Sequence, residues 1–113
     1  MTVHTKARFV EKVDFVTTPG YLTGPGAREE AGLPPGTGPH KIITDLAVLG
    51  FDEKTKAMMV ESVHPGVAVE QVKAETGFDL VLPDFVRKTP PPTDAELKIL
   101  RGEVDPLRLI IGR

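Results

Sequence analysis

The chain has 113 residues, 40% of them hydrophobic, with 14 Lys and Arg against 16 Asp and Glu and a formal net charge of −2. That length allows one small domain with a packed core, and the slight acidity removes any general attraction to nucleic acid or to an anionic membrane. With no cysteine, disulfides, thiolate nucleophiles and Cys-based zinc sites are excluded. No apolar run is long enough to span a bilayer, and the first residues carry no signal-peptide pattern. The expectation is a cytoplasmic protein whose core is aliphatic, because the chain has five Phe, one Tyr and no Trp.

In chain order, Met1-Thr2-Val3-His4 reads like the end of a strand. Val13-Asp14-Phe15-Val16-Thr17 is a β-branched and aromatic run that predicts a strand, stopped by Pro19-Gly20. A Pro/Gly-rich loop follows over residues 18–40, carrying Gly24, Pro25, Gly26, Gly32, Pro34, Pro35, Gly36, Gly38 and Pro39. Gly frees the backbone and Pro locks it, so this composition predicts an ordered, irregular loop, with one helical turn near Ala27 to Ala31. Lys41-Ile42-Ile43-Thr44 and Ala47-Val48-Leu49-Gly50-Phe51 predict strands. Residues 52–56 form a charged turn, and the run from Ala57 to Val63 returns as the partner strand of a hairpin.

Beyond His64-Pro65-Gly66, a helix is expected from Ala68 to Thr76 with Val69 and Val72 on its apolar side. Gly77 is placed as its left-handed C-terminal residue. Phe78 to Leu82 predicts a short strand ended by Pro83. Thr93-Asp94-Ala95-Glu96 is a capping box that opens a second helix, with Leu97 and Leu100 on one stripe, and Asp105-Pro106 breaks it before an apolar tail. Strands thus precede two short helices, the pattern of an α/β or α+β fold.

Little in this pattern announces chemistry. His4, His40 and His64 lack ligand-like spacing and read as loop histidines, so no metal site is expected. Ser62 and His64 would share a face of an extended strand, but no oriented base or oxyanion hole accompanies them. Gly24-Pro25-Gly26 starts a nucleotide-type loop without completing one, and a structural or substrate-lining loop is the simpler reading. Asp45, the one acid within an apolar run, reads as a turn residue capping local amides.

Four segments taken together resemble the beta subunit of family I coenzyme A transferases. They are Arg8-Phe9-Val10-Glu11-Lys12-Val13-Asp14-Phe15-Val16-Thr17-Thr18-Pro19-Gly20, then Lys41-Ile42-Ile43-Thr44-Asp45-Leu46-Ala47-Val48, Glu61-Ser62-Val63-His64-Pro65-Gly66-Val67 and Val72-Lys73-Ala74-Glu75-Thr76-Gly77-Phe78. Their order and spacing match the family's C-terminal region. The loop containing Ala27-Arg28-Glu29-Glu30-Ala31-Gly32-Leu33 looks closer to the glutaconate branch than to the 3-oxoacid branch.

The resemblance implies the C-terminal part of an open, layered α/β fold: a strand-rich mixed sheet with two short helices, forming over residues 1–113 a single partial domain. It implies a reaction in which CoA moves between an acyl-CoA and a carboxylic acid through a glutamyl-CoA thioester. The glutamate of that family lies in a Glu-Asn-Gly segment. This chain contains no Asn, so no catalytic residue is expected within it. A relative of the same fold that hydrolyses CoA-linked substrates without that glutamate, or a non-catalytic binding module, is the alternative. The implied partners are an alpha subunit in a hetero-oligomer and CoA thioester and acid substrates, with no permanently bound cofactor. By analogy with α/β proteins, whose ligands gather beyond strand C-termini, Thr17, Thr18, Pro19 and Gly20 are the candidate substrate-binding residues. A half-sheet of this kind exposes edges and apolar faces, so the isolated chain is expected to associate or to dissolve poorly.

Overall fold

The computed structural model describes residues 1–111. The predicted hairpin is its centre. Strands β1 (Ile42–Ile43), β2 (Ala47–Phe51) and β3 (Met58–Val63) pair antiparallel, and β4 (Arg87–Lys88) joins β3 in parallel. The result is a mixed four-stranded sheet in the order β1-β2-β3-β4. The β2–β3 turn closes around Asp52, whose Oδ1 accepts from the Thr55 amide at 2.7 Å and the Thr55 hydroxyl at 2.8 Å. Those bonds favour the ionised carboxylate and hold its pKa below the ordinary value.

Three short helices accompany the sheet: α1 (Ala27–Glu30), α2 (Val69–Ala74) and α3 (Asp94–Ile99), the last running into a π-helical turn at Leu100–Val104. Val72, three residues after Val69, is the fully buried contact of α2, as the apolar spacing predicts. The capping box of α3 is formed on both sides. The Thr93 hydroxyl accepts from the Glu96 amide, and the Glu96 carboxylate accepts from the Thr93 amide at 2.7 Å. No residue of α3 is buried; Leu97 and Leu100 of its apolar stripe are half-buried.

The core consists of Phe9, Ala47, Leu49, Val60, Val63, Val72 and Leu80, aliphatic apart from one ring. Its burial pattern along β3 breaks the two-residue alternation of an ideal strand. Val48 lies opposite Ser62 while Leu49 lies opposite Val60, which leaves Glu61 as a surplus residue. This β-bulge resets the alternation. Val60 and Val63 both reach the core, and Glu61 and Ser62 are both delivered to a cleft on the sheet.

Four expectations change. Residues 13–17 form no strand: Phe15 is 81% exposed, Val13 and Val16 are also exposed, and no ladder partner is present among the described residues. β-branched composition suits a pleated surface but does not supply one. The predicted strand over residues 78–82 shrinks to a single parallel bridge between Val81 and Met59, because Pro83 has no amide to extend a ladder. Met1 to His4 likewise contributes one parallel bridge, from Thr2 to Thr44.

Gly77 is the fourth case. It is not among the glycines with positive φ, and α2 ends instead through Glu75 at φ −91°. The position needs glycine for a different reason. Its amide donates to the Phe9 carbonyl at 2.7 Å, and a Cβ there would sit 2.6 Å from that same oxygen. Gly77→Ala should therefore push the Phe9 segment off the core, costing about 1–3 kcal/mol as overpacking does. A urea midpoint equal to the parent's would show that this approach is not tight.

The loop over residues 18–40 is ordered, as its composition suggests. The Tyr21 ring packs edge-on against Phe51 with centroids 5.0 Å apart, and its hydroxyl donates to the Pro39 carbonyl at 2.8 Å. The Arg28 guanidinium ties α1 to Gly20 O and to the Thr37 hydroxyl. At the other end of the chain, buried Asp105 accepts from the amides of Leu109, Ile110 and Ile111. The apolar tail is pinned by its backbone while Leu109 and Ile110 remain about 80% exposed.

Candidate functional site

The outer face of the β3–β4 edge carries a cleft of about 510 Å³. Lys41, Glu61, Ser62, Phe85, Arg87 and Lys88 are among its walls. Glu61 arrives from the bulge and Arg87 and Lys88 from the two-residue strand β4, which pairs with Ser62 and Val63. Phe85 precedes that strand and is 78% exposed.

The charges in the cleft are sorted by one glycine. Lys41 and Glu61 form a salt bridge across the sheet, and Gly50 lies on β2 between β1 and β3. A Cβ on Gly50 would lie 2.1 Å from Glu61 Oε1. The absent side chain is what lets the glutamate lie down across β2 and reach Lys41. Arg87 and Lys88 have no carboxylate partner among the described residues.

From the same cleft a line of polar groups runs inward. The Ser62 and Thr89 hydroxyls are 2.8 Å apart, and Thr89 Oγ1 is 3.0 Å from His64 Nδ1. His64 Nε2 meets the Thr44 carbonyl at 2.9 Å. A carbonyl only accepts, so Nε2 carries the proton in the neutral ring, Nδ1 accepts from Thr89, and Thr89 accepts from Ser62. Ser62 and His64 do share a face, but Thr89 stands between them. A serine–base contact for nucleophilic attack is thus not formed.

Thr44 also links this line to His4. His4 lies outside the helices and strands, as expected, but it is buried, 2% exposed, and stacks on Phe9 with ring centroids 4.1 Å apart. Its Nδ1 is 3.1 Å from the Thr44 hydroxyl and its Nε2 2.9 Å from the Thr76 hydroxyl. Thr76 donates to Val72 O at 2.7 Å, and Thr44 Oγ1 already accepts the amides of Leu46 and Ala47. His4 Nε2 therefore donates to Thr76, while the Thr44 hydroxyl proton is shared between His4 Nδ1 and the Ala47 carbonyl, each 3.1 Å away. Burial lowers the His4 pKa below 6.5, against the raising fields of Asp45 and Glu75. Sequence spacing could not show this, since Thr44 and Thr76 lie far along the chain. Asp45 is likewise no local cap: its carboxylate accepts from the distant His4 amide at 2.7 Å.

Thr17, Thr18 and Pro19 are exposed and Gly20 is half-buried. They form a turn in which the Leu22 amide donates to Pro19 O at 3.0 Å. This turn lies at the start of the Tyr21 loop, and its residues are not among the walls of the cleft at β3–β4. No group of three or more His, Asp and Glu side chains that could hold a metal occurs among the described residues. No helix there is long and apolar enough to cross a membrane.

A mixed α/β sheet with a polar cleft at one edge is common to many enzymes, and comparison with known proteins narrows it. Residues 1–75 match the family model described as coenzyme A transferase. The chain belongs to this family. It is 44% identical to the beta subunit of the glutaconate CoA-transferase of Acidaminococcus fermentans over 94% of its own length and 40% of that protein's. The crystal structure of glutaconate coenzyme A-transferase from the same organism superposes with a TM-score of 0.89 at 41% identity, covering 98% of this chain and 42% of the other. A further relative is the cholesterol ring-cleaving hydrolase IpdB subunit of Mycobacterium tuberculosis, 32% identical over 94% of this chain and 41% of that protein. The chain thus spans about two fifths of the length of the relatives it matches.

Proposed function

We propose that these residues form the C-terminal part of a CoA transferase beta subunit, a single partial domain of a longer functional unit. In this reading the complete enzyme moves CoA between an acyl-CoA and a carboxylic acid through a glutamyl-CoA thioester. The glutamate is supplied by sequence other than these 113 residues, and an alpha subunit completes a cytoplasmic hetero-oligomer. This segment contributes framework and substrate lining, with Thr17, Thr18, Pro19 and Gly20 beside the substrate. No permanently bound cofactor and no nucleic-acid partner belong to this reading. The observation that carries it is the 0.89 superposition on glutaconate coenzyme A-transferase across nearly the whole chain.

The second reading, a hydrolase acting on CoA-linked substrates, is favoured by the 32% identity to the IpdB subunit. It ranks below the first because the transferase relative is closer in sequence. Both are tested on the complete beta subunit assembled with its partner. Exchange of CoA between an acyl-CoA and an added carboxylate, with a protein mass increase of one CoA less one water, is the expected result. Hydrolysis without exchange would replace the transferase reading by the hydrolase one. Thr18→Val should raise KM for the acid several-fold in that enzyme, and unchanged kinetics would remove the turn from the site.

A further inference from the structure

We infer that the open edge at β4 is a docking surface for the alpha subunit, which lays a short, extended, acidic segment alongside it, an assignment that rests on the proposed hetero-oligomer. The backbone of β4 is only half used. β3 lies on one side, and no ladder neighbour lies on the other among the described residues. The Thr89 amide donates to Val63 O at 2.8 Å, and the pairs Ser62–Arg87 and Val63–Lys88 fix the parallel register. Backbone groups alternate sides along a strand, so the amide and carbonyl of Lys88 point away from β3. An edge of this kind takes up a further strand through main-chain hydrogen bonds, and side chains decide which strand is accepted.

Here charge decides. The chain as a whole has a net charge of −2, yet Arg87 and Lys88 stand together at the edge without a carboxylate partner among the described residues, because Glu61 is engaged by Lys41. Successive side chains project to opposite faces, so a strand laid along this edge meets a cation on each face. Such a pair repels basic and apolar strands, the usual protection of an edge, and accepts one that carries carboxylates. Protection alone leaves two features unexplained. Beside the charges lie a concave space of about 510 Å³ and the exposed ring of Phe85. A cleft receives side chains from a partner, and an aromatic ring is a common anchor of interfaces. Pro90, Pro91 and Pro92 follow directly. With no amides to donate, they keep the added segment short, so its hold depends on the charges and on Phe85.

The test uses the complete beta subunit assembled with the alpha subunit, with dissociation on dilution followed by sedimentation velocity. Added salt should weaken the parent assembly, because surface charges make the contact. Arg87→Glu with Lys88→Glu should raise the dissociation constant by about tenfold or more, and Arg87→Ala with Lys88→Ala should raise it less. The charge-matched pair Lys54→Glu with Lys98→Glu, exposed in the hairpin turn and on α3, should leave it unchanged. Equal assembly of the parent and the reversed pair, or an equal loss in the matched pair, would overturn the docking surface. If the remainder of the beta subunit covers this edge, both Arg87–Lys88 variants lower the unfolding temperature of the assembly and leave its dissociation constant as it was. If a second beta subunit covers it, the reversed pair abolishes association of beta with beta while alpha still binds. Either result overturns the alpha subunit as the occupant. A parent beta subunit that binds no alpha subunit at all would overturn the hetero-oligomer and this surface with it, a result distinct from assembly that is indifferent to the variants.

Discussion

Leu49→Ala is expected to lower the unfolding free energy by about 2–5 kcal/mol, the cost of deleting a large aliphatic side chain from a rigid core. Leu49 is fully buried on β2, between β1 and β3, with Ile42 and Val60 as its cross-strand partners. The collapse that would refill the space is blocked on both sides by paired backbone. Small domains hold only about 5–15 kcal/mol in total, so this one change removes a large fraction. Urea unfolding of the parent and variant measures it directly. A loss under about 1 kcal/mol, well below the range for such deletions, would mean that the core is more compliant than its burial indicates.

The second large effect belongs to His4. His4→Ala should cost about 2–4 kcal/mol, chiefly from the cavity left against Phe9. Thr76 keeps Val72 O as its acceptor and Thr44 keeps its two amide donors, so unsatisfied hydroxyls add little. The variant should also change how stability responds to acid. The folded state depresses the His4 pKa, so between that lowered value and 6.5 the unfolded chain binds more protons. Stability from this group is complete above pH 6.5 and is lost as pH falls below it, by at most about 1.4 kcal/mol per pH unit. The difference in unfolding free energy between parent and His4→Ala should therefore shrink as pH falls from about 7.5 toward about 5, on either side of the ordinary histidine range. A constant difference would show that the ring accepts a proton in place. Glu96, Asp52 and Asp105 have depressed pKa values too, and they lose their contributions in a separate, more acidic window.

What the sequence disclosed was local. The hairpin, the Asp52 turn, α2 and the Thr93–Glu96 capping box depend on residues within a few positions of one another. Their propensities and patterns point the same way, and the family resemblance adds the α/β frame. What escaped is set by distant residues. Val13, Phe15 and Val16 have strand composition without a ladder to join. Gly77 has the position of a helix terminator, whereas its constraint is the Phe9 carbonyl, remote in sequence. Nothing in the spacing of the three histidines separates them, and only the fold buries one between Thr44 and Thr76. The cleft at β3–β4 was invisible for the same reason: Lys41, Glu61 and Arg87 become neighbours only through strand order and through one extra residue in β3.

That extra residue makes chain length, rather than residue identity, the sensitive variable in this region. Removing Glu61 would restore regular alternation from Val60 to Val63, leaving Ser62 as the one outward residue between them and taking away the partner of Lys41. Between Gly20 and Pro39 the chain crosses no ladder, so insertions there need only be closed as loops, at a cost that grows slowly with length. Relatives that keep the cleft should thus differ freely in length across the Tyr21 loop and hold one residue count through β3.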